Sequence, residues 1–207
     1  MIKSNLNLKI FLPIKIFIIC LLFFSKSHAD GIGAEKNFLT LGLNEAIVKI
    51  KIFSSLTCPH CANFHIKVVP KIEKEYVESG KVQIIFIDFP LDQAAFNASK
   101  LLHCVEQKKQ MKFLDTIYKT QKKWTNGSTI EIINKNLKEI VKDLGISSAQ
   151  FDKCLIDEAV SDKLLNGRIE ATKKYSINST PTIIINEKKL EGSVSFENIK
   201  KKIEKLI

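Results

Sequence analysis

The sequence contains no internal repeat, no low-complexity linker and no cluster of basic and aromatic residues. The missing repeat argues against a solenoid or a tandem array, and the missing linker argues against a string of independent domains. The formal net charge of +10 is carried mainly by lysines spread over many predicted helical faces. That distribution is typical of a solvated surface, so we expect no nucleic-acid partner.

Long apolar runs are scarce, and the first one is too short for a comfortable membrane span. It covers Ile14 to Phe24, follows the basic residues Lys3 and Lys9, and precedes the small-x-small sequence Ser27-His28-Ala29. This arrangement is typical of a secretory signal peptide. We therefore predict that residues 1–29 are a signal peptide and that the mature protein is periplasmic. An uncleaved membrane anchor is the alternative.

Cysteine is also scarce, since one of five cysteines falls inside the predicted signal peptide. The four that remain are Cys58, Cys61, Cys104 and Cys154. An even number in an exported protein indicates disulfides, although four cysteines allow three pairings. The two-residue gap between Cys58 and Cys61 fits a local redox pair, which leaves Cys104 with Cys154. We expect a structural bridge there, and a second redox couple or two buried thiols remain open.

The segment Thr57-Cys58-Pro59-His60-Cys61 lies between two predicted elements. Ala46 to Phe53 is an apolar, β-branched run that predicts a strand, and Ala62 to Ser79 predicts a helix. The first cysteine therefore meets the unpaired N–H groups and the positive dipole end of a helix. Both favour a thiolate, so the segment predicts a reactive dithiol in a thiol–disulfide oxidoreductase. His60 can favour the Cys58 thiolate further, by hydrogen bonding to it or by a charge beside it. We therefore expect Pro59 and His60 together to tune the reactivity of the dithiol.

The remaining pattern predicts one α/β chain with a helical insertion. The run Val82 to Phe89 predicts a strand buried on both faces, and strand–helix–strand predicts a parallel pair. Residues 91–158 have helical periodicity throughout, so we predict a parent domain at 30–90 and 159–207 with an inserted helical subdomain. Residues 30–45 are expected to form an arm that enters the first strand.

Several local signals refine this picture. Ser128 with Glu131 and Ser147 with Gln150 predict helix starts, and Trp124 is expected to anchor the core of the insert. A helix over 161–175 should bury Leu164, Leu165 and Ile169, and Ser195 should cap the last helix.

The order of these elements resembles the thioredoxin fold, with Thr180-Pro181 placed just before an apolar strand. The all-helical insert and the Pro59-His60 pair resemble the DsbA-like periplasmic oxidoreductases. The stretches 55–65 and 180–182 are similar to the DsbA/BdbD branch of that family. The resemblance covers essentially the whole mature chain.

The resemblance implies a thioredoxin fold with an inserted helical subdomain. It makes Cys58 the exposed nucleophile and Cys61 the buried resolving cysteine. It places Thr180 and Pro181 in a cis-proline loop that packs against Cys58 and binds substrate. The implied substrates are unfolded or reduced exported polypeptides, and the implied reoxidant is a DsbB-like quinone-linked membrane partner. No cofactor beyond the Cys58–Cys61 disulfide and no metal are expected, and the protein should be a monomer.

Two residues of this chain depart from the pattern of the family, and they leave other functions open. Many thioredoxin-fold enzymes have a buried acid six residues before the first cysteine, where this chain has Ile52. DsbA typically has Val before the cis-proline, whereas DsbC-type isomerases often have Thr, so Thr180 keeps an isomerase or reductase open. A non-catalytic chaperone module and a zinc site that uses His60 or His65 are further alternatives.

Overall fold

A computed structural model describes residues 38–207. The predicted signal peptide at 1–29 and the first part of the predicted arm lie outside the described residues. The strands are β1 (Leu39–Leu41), β2 (Val48–Ser54), β3 (Val82–Asp88), β4 (Thr182–Ile185) and β5 (Lys188–Lys189). The helices are α1 (Pro59–Lys67), α2 (Val69–Ile72), α3 (Gln93–Cys104), α4 (Gln107–Lys119), α5 (Gln121–Trp124), α6 (Ile130–Lys142), α7 (Ser148–Leu155), α8 (Glu158–Tyr175) and α9 (Phe196–Ile203), with a π-helical turn at Glu73–Val77. None of the helices within 38–207 is long and apolar enough to cross a membrane.

The five strands form one mixed sheet in the order β1-β3-β2-β4-β5. β2 and β3 are parallel, as the strand–helix–strand pattern predicts, while β1, β4 and β5 each run antiparallel to their neighbours. The strand β1 corrects the prediction that residues 30–45 form only an arm. It is three residues long and only partly buried, so it has too short a pattern to be recognised without its partner β3.

Both faces of the sheet are covered. Ile50 and Ile52 of β2 point into the larger core, which also contains residues of α1, α2, α9 and the insert. Phe53 points to the opposite face, where it packs with Ala171 and Tyr175 of α8. Both neighbours of β2 are strands, so its backbone is fully paired and its end is held in a fixed position.

The second face contains a buried charge, Lys51, which binds Glu187 and lies 3.4 Å from the hydroxyl of Tyr175. Glu187 also accepts hydrogen bonds from Tyr175 at 2.6 Å and from Lys174 at 2.8 Å. Burial alone raises the pKa of Glu187, but the hydrogen bonds from Lys174, Lys51 and Tyr175 outweigh it and lower that pKa to about 2. The carboxylate therefore stays ionised and compensates the lysine.

The helix after the dithiol differs from the single helix predicted over 62–79. It begins earlier, at Pro59, and it is divided into α1, α2 and the π-helical turn. Val68 separates α1 from α2 with φ of −105°. Pro70 lies in the first turn of α2, where its missing N–H costs no hydrogen bond inside a helix. Pro70 therefore does not interrupt a helix, and the break lies two residues earlier, at Val68.

Helix boundaries in the insert follow the capping residues. Thr129, not Ser128, caps α6 by accepting a hydrogen bond from the N–H of Ile132. Ser147 caps α7 as predicted. Trp124 is fully buried and donates its indole N–H to the carbonyl of Ile117 at 2.9 Å, which confirms it as an anchor of this core.

The apolar face predicted for α8 is partly wrong. Leu164 is buried, but Leu165 and Ile169 are 47% and 51% exposed, and the other buried residues are Ala171 and Tyr175. The helix packs on the sheet mainly through its C-terminal end, so apolar residues in its middle remain at the surface.

A disulfide joins Cys104, the last residue of α3, to Cys154 of α7, with 6.1 Å between the Cα atoms. This is the pairing expected from the sequence. Both cysteines lie inside the helical insert, so the bridge ties two of its helices together.

We expect two glycine-to-alanine changes to have opposite effects. Gly42 has φ of +96°, and a Cβ there would lie 2.5 Å from the carbonyl oxygen of Val82. Gly42→Ala should lower the free energy of unfolding by about 2 kcal/mol or more. Gly167 lies inside α8, and a Cβ there would have no atom within 4 Å apart from its chain neighbours and the backbone of its own helix, so Gly167→Ala should raise the free energy of unfolding by about 0.5–1 kcal/mol. Urea titrations of both variants measure the difference, and equal effects would contradict it.

Removing the bridge should destabilise the insert. The double change Cys104→Ala with Cys154→Ala opens a loop of 50 residues, so the free energy of unfolding should fall by about 2–4 kcal/mol. Urea titration with tryptophan fluorescence is suitable because Trp124 lies in this core. The wild type with this bridge selectively reduced is the matched control, and an unchanged midpoint in both would show that the bridge contributes little.

Candidate active site

Cys58 lies where β2 passes into α1. A turn formed by Ser55 to Thr57 connects them, and the N–H of Cys58 donates to the carbonyl of Ser55 at 3.1 Å. Cys58 is the N-cap residue of α1 and Pro59 is its first residue. Proline suits this position because the first N–H groups of a helix have no partner within it. The half-buried Cys58 side chain therefore sits at the positive end of the helix dipole.

The register of the sheet brings a second loop to the same place. Phe53, near the end of β2, pairs with Thr182 at the start of antiparallel β4. The residues just before β4 therefore lie beside the turn that carries Cys58. The Thr180–Pro181 peptide bond is cis, and the Cys58 thiol donates to the carbonyl oxygen of Thr180 at 3.4 Å. The structure thus brings Cys58, Thr180 and Pro181 together, as the resemblance implies.

The two cysteines have different surroundings. Cys61 lies one turn further along α1 and is only 2% exposed, and burial raises the pKa of its thiol to about 12. Pro59 and His60 are exposed on the outer side of this turn. Both cysteines are free thiols in this structure. The accessible sulfur is therefore that of Cys58, with Cys61 behind it.

The helical insert holds the active-site turn in place. Gln121, which is 6% exposed, donates from Nε2 to the carbonyls of Leu56 at 2.8 Å and Cys58 at 3.1 Å. Asp92, the cap of α3, accepts a hydrogen bond from the hydroxyl of Thr57 at 2.6 Å. Neither residue was recognised from the sequence, because no motif marks a glutamine that binds backbone carbonyls far away in the chain.

A small cavity of about 10 Å³ lies behind Cys61. Its polar wall consists of Ser54, Cys61, His65 and Tyr118, and its apolar wall includes Ile52 and Pro181. The phenolic oxygen of Tyr118 has no hydrogen-bond partner among residues 38–207, and burial raises the pKa of that phenol well above its ordinary value.

His65 is buried and bonded to a carboxylate. Its side chain is 7% exposed, and its Nε2 lies 2.6 Å from Oδ1 of Asp115 in α4. Burial lowers the pKa of His65, although the hydrogen bond and the charge of Asp115 oppose that effect. The contact with Asp115 depends on the packing of α4 on α1, so no local pattern in the sequence predicts it.

The donor set for the zinc alternative is incomplete. No group of three or more His, Cys, Asp or Glu side chains within 38–207 is arranged to hold a metal ion. His65 is engaged with Asp115, and His60 is exposed.

Comparison with known proteins places this geometry in a family. The thioredoxin family model matches residues 35–205. A putative protein-disulfide oxidoreductase of Rickettsia bellii is 26% identical over 178 residues, which are 84% of this chain and 66% of that protein. The chain therefore spans just under two thirds of that relative. A probable disulfide bond formation protein D of Bacillus anthracis is 28% identical over 185 residues, covering 87% of this chain and 83% of that protein.

A solved structure shows the same architecture. The crystal structure of Wolbachia pipientis alpha-DsbA1 superposes with a TM-score of 0.72 at 29% identity, covering 82% of this chain and 90% of that one. This agreement includes the thioredoxin fold and its helical insertion, and it accompanies the dithiol and the cis-proline described above. The chain belongs to the thioredoxin family and is a DsbA-like thiol:disulfide oxidoreductase.

Proposed function

We propose that this protein donates disulfide bonds to exported polypeptides through the Cys58–Cys61 couple. One observation carries the proposal: a half-buried Cys58 sulfur at a helix N-terminus, 3.4 Å from the Thr180 carbonyl, with a sealed Cys61 one turn behind it. Stabilising the reduced form of such a couple makes its disulfide a stronger oxidant. The helix N-terminus supplies that stabilisation, and His60 adds to it from the exposed side.

The reaction is a pair of exchanges between sulfur atoms. A substrate thiolate attacks the Cys58 sulfur of the oxidised protein, so the Cys58–Cys61 bond breaks and Cys61 takes up the electron pair and a proton. A second substrate thiolate then attacks the substrate sulfur of the mixed disulfide, which forms the substrate disulfide and releases Cys58 as thiolate. The protein is reduced by two electrons, and no further cofactor is needed.

The surface beside the active-site turn suits an unfolded polypeptide. A groove of about 370 Å³ is lined by Pro90, Asp92, Gln93, Phe96, Leu165 and Arg168. The hydrogen bond from Thr57 to Asp92 places one end of the groove next to Cys58. The exposed apolar side chain of Leu165 lies along it and would accept apolar residues near a substrate cysteine. The backbone of Thr180, beside the cis bond, would pair with the extended segment that bears the cysteine.

The rest of the proposal concerns location and partners. The predicted signal peptide at 1–29 supports export to the periplasm, where disulfides persist. Each cycle leaves the protein reduced, so it needs an oxidant, for which a DsbB-like quinone-linked membrane protein fits best. The protein acts as a monomer in this scheme, because the site is complete within one chain.

Replacing Cys58 and replacing Cys61 should stop the reaction at different steps. Cys58→Ser should abolish oxidation of a dithiol peptide, because no sulfur is left for the substrate to attack. Cys61→Ser should also stop turnover, but its Cys58 should still form a mixed disulfide that persists, because no internal thiol resolves it. Mass spectrometry under non-reducing conditions detects that adduct. Equal peptide oxidation by the wild type and Cys58→Ser would refute the proposed function.

The direction of the reaction is set by the reduction potential. We expect equilibration with glutathione to give a potential near −120 mV, in the range of strong oxidants. His60→Ser should make it more negative by roughly 30 mV, or about tenfold in the equilibrium constant. His103→Gln is the matched control, since His103 binds Asp88 and does not line the cavity behind Cys61. A wild-type potential near −270 mV would instead indicate a reductase.

Refolding of a protein with scrambled disulfides separates the donor from an isomerase. The donor should oxidise reduced protein quickly and correct scrambled pairings slowly. Faster correction than oxidation would favour the isomerase alternative that Thr180 leaves open.

A further inference from the structure

The buried Cys61 thiol must lose its proton before it can react. Each time the protein is reoxidised, the Cys61 sulfur must attack the sulfur of Cys58, and only the thiolate attacks. Cys61 is 2% exposed, so bulk water does not reach its proton. The proton must pass to a group inside the protein.

The cavity behind Cys61 contains one suitable base. Of its polar wall, Ser54 and Tyr118 are hydroxyl groups that are poor proton acceptors at neutral pH, whereas an imidazole accepts a proton readily. His65 follows Cys61 by four residues on α1, so the two side chains lie on one face of the helix. Ile52, which also lines the cavity, offers no charge.

We propose that His65, oriented by Asp115, accepts the Cys61 proton during formation of the Cys58–Cys61 disulfide. This inference rests on the proposed function, and it identifies the proton acceptor of that same site. His65 acts across the cavity, whose volume of about 10 Å³ is at the lower limit for one relaying water molecule. The hydroxyl of Tyr118, which has no hydrogen-bond partner within 38–207, offers that water a polar neighbour.

The contact with Asp115 fixes which nitrogen carries the proton. Nε2 faces the carboxylate oxygen at 2.6 Å, so Nε2 donates and Nδ1 keeps the lone pair. The Tyr118 ring packs against the imidazole, tilted by 35° with 4.9 Å between the centroids, and this contact restrains the ring. Histidine bonded to a carboxylate is the arrangement that makes an imidazole a better base.

Charged groups around His65 come from three elements. Asp115 and Lys119 of α4 act in opposite directions on its pKa, and Glu73 of the π-helical turn acts in the same direction as Asp115. Burial dominates and lowers the pKa of His65, so the ring is neutral and able to accept a proton at neutral pH. Asp88 of β3 is occupied by the side chains of Ser99 and His103.

The attack of Cys61 on the mixed disulfide conserves both protons and electrons. With a glutathione adduct on Cys58, the Cys61 S–H bond breaks and its proton goes to His65. The new Cys61–Cys58 bond forms while the Cys58–glutathione bond breaks, and the electron pair leaves with the glutathione thiolate. His65 then releases the proton to solvent through exchange of the cavity water.

A single-turnover experiment isolates this step. The reduced full-length protein is mixed with oxidised glutathione, quenched in acid at successive times, and analysed by mass spectrometry for the Cys58–glutathione adduct and the internal disulfide. Between pH 4.5 and 8 the wild-type resolution rate should be flat at high pH and should fall as pH drops through the pKa of His65. His65→Gln should slow resolution about a hundredfold and make it rise with pH throughout, since hydroxide is then the base.

Two further variants control this result. His103→Gln removes another histidine that is bonded to a carboxylate, with a side chain 16% exposed, but outside the cavity, so its resolution should match the wild type. Asp115→Asn removes the carboxylate that supports protonation of His65, so the wild-type inflection should move to lower pH. If His65→Gln fails to fold, the shift of the inflection in Asp115→Asn tests the role of His65 instead.

The outcomes separate the two proposals. If the wild type forms neither the Cys58–glutathione adduct nor the internal disulfide, the exchange chemistry itself is wrong and both proposals fall. If the adduct forms in all proteins and resolves with the same rate and pH profile in the wild type, His65→Gln and Asp115→Asn, only the role of His65 is refuted. Slower resolution in His65→Gln with unchanged formation of the adduct supports it.

Discussion

The antiparallel pairing of β4 with β2 is the constraint on which the site depends. Phe53 opposite Thr182 sets how far the loop before β4 reaches past the end of β2, and that reach puts the Thr180 carbonyl 3.4 Å from the Cys58 sulfur. A slip of one residue would turn Ile183 and Ile185 away from the larger core and toward α8. The burial of alternate isoleucines therefore fixes the register, and the register assembles the site.

The same strand pairing explains why the two cysteines differ. Because β2 delivers Cys58 at the N-cap of α1, the next cysteine on the inner side of the helix must lie under the first turn, against the sheet. The Cys58 sulfur lies beside the helix N–H groups and the Thr180 loop. The Cys61 sulfur lies among apolar residues and beside the cavity behind it. Cys58 is therefore the more accessible of the two sulfurs, and this difference comes from their positions on the helix.

Much of this was predictable from short stretches of sequence, because the signals are local. The dithiol at a strand-to-helix junction, the buried strand β3 and the Thr180-Pro181 loop each depend on a few neighbouring residues. β1 was missed because a three-residue edge strand has no pattern of its own. Gln121, Asp92 and Asp115 were missed because their roles depend on residues tens of positions away, which only the packing of the insert brings near.

The residues missed from the sequence all lie in the helical insert. Asp92, Asp115 and Gln121 belong to the helical segment after β3, as does Tyr118, and all four reach the dithiol region of the parent domain. Gln121 binds the carbonyl of Cys58 itself, and Tyr118 closes the cavity behind Cys61. Without these helices the carbonyls of Leu56 and Cys58 would lose the hydrogen bonds from Gln121, and the cavity behind Cys61 would lose the side chain of Tyr118. The insert therefore builds the inner half of the site, and the bridge between Cys104 and Cys154 stabilises the same helical unit that supplies those contacts.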